Sequence, residues 1–224
     1  MTAASRHPRR FPQRNPVKTD GNPLWKSWVG GLVAGAVLLL GACGAGGEHE
    51  FVGLTRDPAP AVDVTEVPDV SRDGEPFRFV APPDGLLVVF FGYTNCPDVC
   101  PTTLADLRRA LTDLGDDAER IDTVMVTIDP ARDADVVTEY IQGFVPEAHA
   151  VALDDDAVLQ EVTLAFGVSY QVDVRQGGRV DVVHSDTTLF AVDDTGTLLL
   201  TWPFGTSSDD LADDLRQLLE SGLD

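Results

Sequence analysis

Apolar runs alternate with amphipathic stretches from residue 77 to the end of the chain. The apolar runs are short and bounded by Gly, Pro or Asp, which predicts strands. One of them, Leu86–Gly92, has no polar position and is typical of a strand buried on both faces. Turn residues between the last four runs predict two hairpins. The predicted strands are Phe77–Ala81, Leu86–Gly92, Ile121–Ile128, Ala148–Leu153, Val168–Val174, Arg179–Val183, Thr187–Val192 and Thr197–Trp202.

Leucine and other apolar residues recur at helical spacing between these runs. The first such stretch begins at Pro101, a residue suited to a helix start, and ends at Gly115. The order of strands and helices predicts an α/β domain, with a central sheet and helices on both faces. The other predicted helices run from a cap at Asp133 to Phe144, from a cap at Asp154 or Asp155 to Phe166, and from Asp209 onward.

The N-terminal segment has the pattern of a targeting signal. Basic residues precede the uncharged run Trp28–Ala42, whose 15 residues are fewer than the roughly 20 of a membrane-spanning helix. Leu40-Gly41-Ala42-Cys43 resembles the lipobox of bacterial lipoproteins, which implies that Cys43 is lipidated and becomes the mature N-terminus. An uncleaved membrane anchor is the alternative. Both interpretations make residues 1–42 a signal segment and place the rest outside the cytoplasm, attached to the cell membrane.

Charge and composition divide the remainder of the chain. Residues 43–72 are rich in Gly, Pro and acids and are predicted to form a flexible tether, with the folded domain at 73–224. Six of the 16 basic residues but only one of the 37 acids lie in residues 1–42. Residues 43–224 therefore keep ten basic and 36 acidic side chains, a net charge of −26, with no lysine. This balance excludes a nucleic-acid partner, because no basic face is present to neutralise phosphates.

Three cysteines narrow the candidate chemistry. If Cys43 is lipidated, Cys96 and Cys100 remain as a close pair in a compartment where thiols oxidise unless a metal or a reductant intervenes. The pair follows Leu86–Gly92, at the strand end where sites form in open sheets. If the helix extends back over the motif, both sulfurs share one face, near a helix start that favours thiolate. The negative charge of Asp98 raises the pKa of a nearby thiol and so acts against thiolate formation. We interpret Asp98 as a first-turn helix acid. A disulfide switch and a metal site both remain open.

A metal site needs further ligands. Copper(I) accepts sulfur and imidazole at low coordination number, whereas zinc normally requires a fourth ligand, and the sequence offers no obvious one. His49 lies in the predicted tether, and His149 opens a predicted strand. His184 ends a predicted strand, 84 residues after Cys100. Without further context, a lone histidine of this kind is more often structural than a ligand.

The stretch Phe90–Leu104, with the sequence FFGYTNCPDVCPTTL, closely resembles the signature of the SCO/SenC family of copper chaperones. The resemblance covers about residues 73–221. It implies a thioredoxin-like fold, a copper ion held by Cys96, Cys100 and His184, and a role in building the dinuclear copper centre of cytochrome c oxidase subunit II. Asn95 stands where the family usually has His, and Val183 where it often has Asp. The later matches, in family order, are Val126–Asp133, Ala165–Gly167, Val183–Ser185 and Trp202–Gly205.

Two hypotheses follow for the function. Disulfide oxidoreductases typically combine C-x-x-C with a cis-proline, whereas this chain has C-x-x-x-C and no proline between Val174 and Trp202. That difference favours a metallochaperone that releases copper by ligand exchange. The alternative is an enzyme, a thiol–disulfide reductase that keeps the cysteines of the acceptor reduced. The expected partners are subunit II, a thioredoxin-like reductant and a copper donor.

Overall fold

The computed structural model describes residues 50–174, 180–184 and 188–221. Within these residues the chain forms nine strands, five α-helices and two short 3₁₀ turns. The strands are β1 (Val67–Asp69), β2 (Glu75–Phe77), β3 (Leu86–Gly92), β4 (Ile121–Thr127), β5 (His149–Val151), β6 (Tyr170–Val174), β7 (Val180–His184), β8 (Leu189–Val192) and β9 (Leu198–Trp202). The helices are α1 (Val99–Leu114), α2 (Pro130–Asp133), α3 (Val137–Gln142), α4 (Asp156–Phe166) and α5 (Ser208–Ser221).

Seven strands form one mixed sheet, in the order β2-β1-β5-β4-β3-β8-β9. The central strands β3, β4 and β5 are parallel, so their carboxyl ends lie at one edge, where Gly92 of β3 is opposite Thr127 of β4. Strand β8 runs antiparallel to β3. Strands β6 and β7 form a separate antiparallel pair. The chain segments that follow β3 and β4 therefore leave the sheet side by side.

Strand β3 separates two apolar cores, which confirms the predicted central sheet with helices on both faces. All seven of its residues are buried. Its alternate side chains point to opposite faces, as in any strand. Phe90 belongs to the core shared with α1, α3 and α5, and Phe91 belongs to the core shared with α4.

The predicted helix from Asp133 to Phe144 is wrong. The segment forms two short helices, α2 and α3, with a break between them. Asp133 ends α2 instead of capping a helix, and its side chain is fully buried. The predicted strand Phe77–Ala81 is also displaced, because strand pairing covers Glu75–Phe77, while Phe79 and Ala81 are buried outside any strand.

Residues 50–72, which the sequence analysis assigns to a flexible tether, pack against the domain. Strand β1 lies inside the seven-stranded sheet, and Val62 is completely buried. Leu54 forms a backbone bridge to Thr201 on β9. The Gly, Pro and acidic residues therefore indicate an irregular backbone that still packs against the domain. The tether prediction is wrong for this stretch.

A buried carboxylate holds the start of this segment. Asp214 of α5 accepts hydrogen bonds from the Val52 N–H (3.1 Å), the Gly53 N–H (2.7 Å) and the indole Nε1 of Trp202 (2.7 Å). A Cβ at Gly53 would lie 2.7 Å from that Nε1 atom, so the backbone approaches the indole too closely for any side chain. Trp202 is thereby enclosed by the segment.

The predictions for the signal segment at residues 1–42 and for lipidation of Cys43 lie outside the described residues. Within residues 50–174, 180–184 and 188–221, none of the helices is both long and apolar enough to cross a membrane.

Candidate metal centre

Both cysteines of the motif lie beyond the carboxyl end of β3, at the start of α1. The helix begins at Val99, so it does not extend back over Cys96. The two residues still meet, because the Cys100 N–H donates a hydrogen bond to the Cys96 Sγ at 3.2 Å. Both thiols are free. The Cys96 sulfur thus binds one of the N–H groups that a helix start leaves without an intrahelical acceptor. Asp98, at the N-cap, makes no capping hydrogen bond with its side chain.

The pair is almost removed from solvent. Cys96 is 8% exposed and Cys100 is fully buried. Burial raises the pKa of the Cys100 thiol well above its ordinary value, and its hydrogen bond with Cys96 adds to this shift. Cys100 therefore stays protonated near neutral pH as long as no cation is bound beside it. A metal ion supplies the positive charge that makes a thiolate favourable at such a position.

Asp133 fixes the turn that carries the cysteines. Its carboxylate accepts hydrogen bonds from the Thr94 N–H (2.9 Å), the Thr94 hydroxyl (2.6 Å) and the Thr127 hydroxyl (2.6 Å). The turn before Cys96 is thus connected to the end of β4. Sequence reasoning missed this role, although Asp133 closes the matched stretch Val126–Asp133.

Two phenols lie near the thiols. Burial raises the pKa of Tyr93, and the neighbouring thiols and a hydrogen bond with Cys96 raise it further. Tyr140 of α3 packs against the core that contains both cysteines. Burial raises the pKa of its hydroxyl, with further contributions from Cys100, then Cys96, then Asp133. Sequence reasoning singled out neither phenol.

The backbone limits how far the end of β7, where His184 lies, can be from β3. His184 ends β7 and pairs with Tyr170 of β6. Five residues later Leu189 begins β8 and pairs with Phe90, two residues before the end of β3. Because five residues span at most about 18 Å, the end of β7 lies within that distance of Leu189. The His184 side chain lies outside the described part of the structure.

Cys96 and Cys100 are therefore two of the three predicted ligands that the structure brings together. Among the side chains that are described, no group of three or more His, Cys, Asp or Glu residues is placed to hold a metal. His149 opens β5, and its Nδ1 lies 2.6 Å from the Asp69 carboxylate in a structural contact between β5 and β1. Two adjacent sulfurs fit a soft cation, and a histidine at the end of β7 is compatible with a third ligand.

Comparison with known sequences assigns most of the described chain to one family. The family model described as SCO1/SenC matches residues 70–220. A SCO2-like protein of Rickettsia prowazekii is 32% identical over 102 residues, which cover 45% of this chain and 49% of that protein. The chain spans about half the length of the curated relatives it matches.

Solved structures agree with this assignment. The solution structure of the apo Sco1 protein from Thermus thermophilus is 34% identical, with a TM-score of 0.66, and the match covers 77% of this chain and 99% of that one. ScoI of Bradyrhizobium japonicum, solved with copper bound, is 24% identical with a TM-score of 0.58 over 68% of this chain and 95% of that one, and shows the fold alone. The predicted thioredoxin-like α/β fold is confirmed. The chain belongs to the SCO1/SenC family.

Proposed function

We propose that this chain is a copper metallochaperone, which holds copper on Cys96, Cys100 and His184 and delivers it to the dinuclear copper centre of cytochrome c oxidase subunit II. The observation that carries the proposal is the pair of free thiols, joined by the Cys100 N–H and enclosed at the start of α1. Two sulfurs and one imidazole form a set that copper(I) accepts and that leaves zinc one ligand short. The Bradyrhizobium japonicum protein of this fold was solved with copper bound.

Capture of copper(I) exchanges a proton for a metal ion. The cation replaces the proton of the buried Cys100 thiol, which leaves to solvent, and no electron is transferred. The Cys100 N–H stabilises negative charge on the Cys96 sulfur. Cys96 is the more exposed of the two. An acceptor thiolate therefore approaches from its side and displaces Cys96 first, then the remaining ligands.

Attachment to the membrane is part of the proposal. A lipid on Cys43 would keep the acidic domain at the outer face of the cell membrane, where a copper donor, a thioredoxin-like reductant and subunit II are its expected partners. We expect Cys43→Ala to shift the protein from the membrane fraction to the soluble fraction, and the mass of the wild-type chain to show a lipid at that residue. An unchanged distribution contradicts the lipoprotein assignment.

Copper binding by the full chain, purified in mild detergent and reduced without oxygen, tests the site. Copper(I) is titrated against a chromophoric chelator, and one ion per chain is expected. Cys100→Ser and His184→Ala should each lower the affinity by more than about 100-fold, because changes outside the ligand set already cost 10–100-fold. His149→Gln is the matched control and should bind normally. Unchanged binding in His184→Ala contradicts the three-ligand site.

A thiol–disulfide reductase is the second candidate, favoured by the unequal exposure of two adjacent thiols. The Cys96 thiolate would attack a disulfide of the acceptor and form a mixed disulfide, which the Cys100 thiolate then displaces. The products are the acceptor dithiol and a Cys96–Cys100 disulfide, which a thioredoxin-like reductant returns to the dithiol. Reduction of an oxidised subunit II fragment that persists in His184→Ala, together with absent copper binding in the wild type, favours this function.

A further inference from the structure

A groove of about 530 Å³ lies between α4, the segment that follows β4 and strand β6. Its volume is in the range of roughly 300–1,000 Å³ that is typical of ligand pockets. The buried side chains of Ile128, Leu159 and Val168 form part of its lining. Leu164 also lines it and is 71% exposed, the largest fraction for any large apolar side chain in the described part of the chain. The groove therefore offers apolar surface that gains free energy when another molecule covers it.

Strand β6 presents an open edge to this groove. It pairs with β7 on one side, and within residues 50–174, 180–184 and 188–221 no strand pairs with its other side. Tyr170, Gln171 and Val172 of β6 all line the groove. Because successive side chains of a strand point to opposite faces, three consecutive lining residues indicate that the edge of the strand borders the groove. An open edge is a template for an extended segment of another chain.

The charged residues in the described lining of the groove are both acidic, Asp129 and Asp156. Asp129 forms an ion pair with Arg132. Asp156, in the first turn of α4, is exposed and forms no ion pair with a described side chain. The cap of α4 is supplied by the preceding residue, Asp155, whose carboxylate accepts a hydrogen bond from the Ala157 N–H (2.8 Å). The charge of Asp156 is therefore available to a cation that enters the groove.

We propose that this groove binds an extended polypeptide segment of a partner protein, which adds a strand to the open edge of β6 and places a basic side chain beside Asp156. The Ile128 N–H donates a hydrogen bond to the Gly92 carbonyl (2.9 Å), so the groove adjoins the end of β3 from which the cysteine turn leaves. Tyr170, in the lining, pairs with His184 in the register of β6 and β7. The bound segment therefore docks its protein beside the candidate metal centre. The inference goes beyond the proposed function and does not require copper to be bound.

Titration of the isotope-labelled full chain with a peptide tests the inference by NMR, in mild detergent at low ionic strength. The probe is acetyl-Val-Arg-Val-Thr-Val-amide, and its partner probe carries uncharged citrulline in place of arginine. We expect the arginine peptide to shift the amide signals of residues 159–164 and 168–172 and to slow amide hydrogen exchange in β6. The citrulline peptide should bind about threefold more weakly, because it lacks the charge that pairs with Asp156.

Two variants separate the charge from the apolar contact. Asp156→Asn should weaken binding of the arginine peptide by about threefold and leave binding of the citrulline peptide unchanged. Leu164→Ala should weaken binding of both peptides by about fivefold. The matched controls are Asp209→Asn, an exposed acid in the first turn of α5, and Leu54→Ala, a 62% exposed leucine beside β9. Both controls should bind as the wild type does.

Four results overturn the inference. The first is the absence of shifts in the groove signals with either peptide, and the second is equal binding of the arginine peptide by the wild type, Asp156→Asn and Leu164→Ala. In the third, acetyl-arginine-amide alone binds as tightly as the peptide, so that the occupant is a small cation. In the fourth, the same signals shift when the chain is concentrated without peptide, so that the occupant is a second copy. None of these results alters copper binding, so the proposed function is tested separately by its own titration.

Discussion

Removal of the Asp133 carboxylate should loosen the turn that carries the cysteines. The carboxylate is fully buried and accepts three hydrogen bonds, two from Thr94 and one from the Thr127 hydroxyl. Hydrogen bonds to a charged acceptor contribute about 1.5–3 kcal/mol each, but such values do not add for neighbours. Thr94 is half-buried, so water can replace its lost acceptor, whereas Thr127 is completely buried. We therefore expect Asp133→Ala to lower the free energy of unfolding by about 3–5 kcal/mol.

Asp133→Asn should be much milder, for a geometric reason. The Thr94 N–H and the Thr127 hydroxyl share the Oδ2 atom, and the Thr94 hydroxyl binds Oδ1. An asparagine with its oxygen at the Oδ2 position keeps the first two contacts. Its amide then donates to the Thr94 hydroxyl, which changes from donor to acceptor. We expect a loss of about 1 kcal/mol, the difference between charged and neutral hydrogen bonds.

Urea unfolding of the apo chain, followed by circular dichroism, measures both variants, with Asp135→Ala as the control for loss of one negative charge. Asp135 is exposed and lies two residues further along. Copper(I) affinity should fall roughly tenfold in Asp133→Ala and stay near the wild-type value in Asp133→Asn. A loss below about 1 kcal/mol in Asp133→Ala would show that these hydrogen bonds do not hold the turn. Equal losses in the two variants would show that charge, and not geometry, matters.

Three further predictions concern pH, the N-terminal segment and metal loading. Burial raises the pKa of the Asp69 carboxyl, but its hydrogen bonds outweigh burial and lower the pKa below 3.8. Asp69 therefore stabilises the protein above that pH and loses its contribution as the pH falls below it. Between pH 5 and 2, the free energy of unfolding in urea should depend less on pH in Asp69→Asn than in the wild type, and an equal dependence contradicts this. Asp214→Ala should speed tryptic cleavage after Arg56, followed by mass spectrometry, because the Val52 and Gly53 N–H groups lose the carboxylate that they bind. Equal cleavage rates in the variant and the wild type contradict this. Free copper(I) at about 100 times the Kd should raise the free energy of unfolding by about 2.7 kcal/mol, an effect that a chelator reverses and that Cys100→Ser lacks.

The elements predicted best are those whose signal is local. Leu86–Gly92 coincides with β3, because a continuous apolar run bounded by turns leaves no other arrangement that buries it. The helix predicted from Pro101 to Gly115 matches α1, apart from two residues at its start. The helix closed by Gly167 ends there in the left-handed conformation that glycine favours.

The errors arise where a distant partner decides the structure. An aspartate before an apolar repeat predicts a helix cap, but the Asp133 carboxylate accepts a hydrogen bond from Thr94, 39 residues earlier. An irregular acidic segment reads as a tether, but Val52 and Gly53 bind Asp214, more than 160 residues later. In both cases one buried carboxylate overrides local propensity, and nothing in a single sequence names its partner.

The candidate site could likewise be predicted from the sequence only in part. The sequence analysis expected both sulfurs on one helix face if the helix extended over the motif. The helix begins at Val99, and the contact comes instead from the Cys100 N–H at the helix start. No local pattern marks the Tyr140 hydroxyl, because its lack of a hydrogen-bond partner is a property of the folded core. That property exists only once the core has formed.

The break between α2 and α3 follows Asp133, the residue that supports the cysteine turn. A helix of four residues is too short to be stable alone, so contacts made by Asp133 hold α2 in place. Tyr140 lies on α3, after the break, and packs on the core that includes both cysteines. Neither contributes a ligand atom in the proposed site. Asp133→Ala should therefore weaken copper(I) binding while the chain still binds one ion, whereas Cys100→Ser should weaken it by more than about 100-fold.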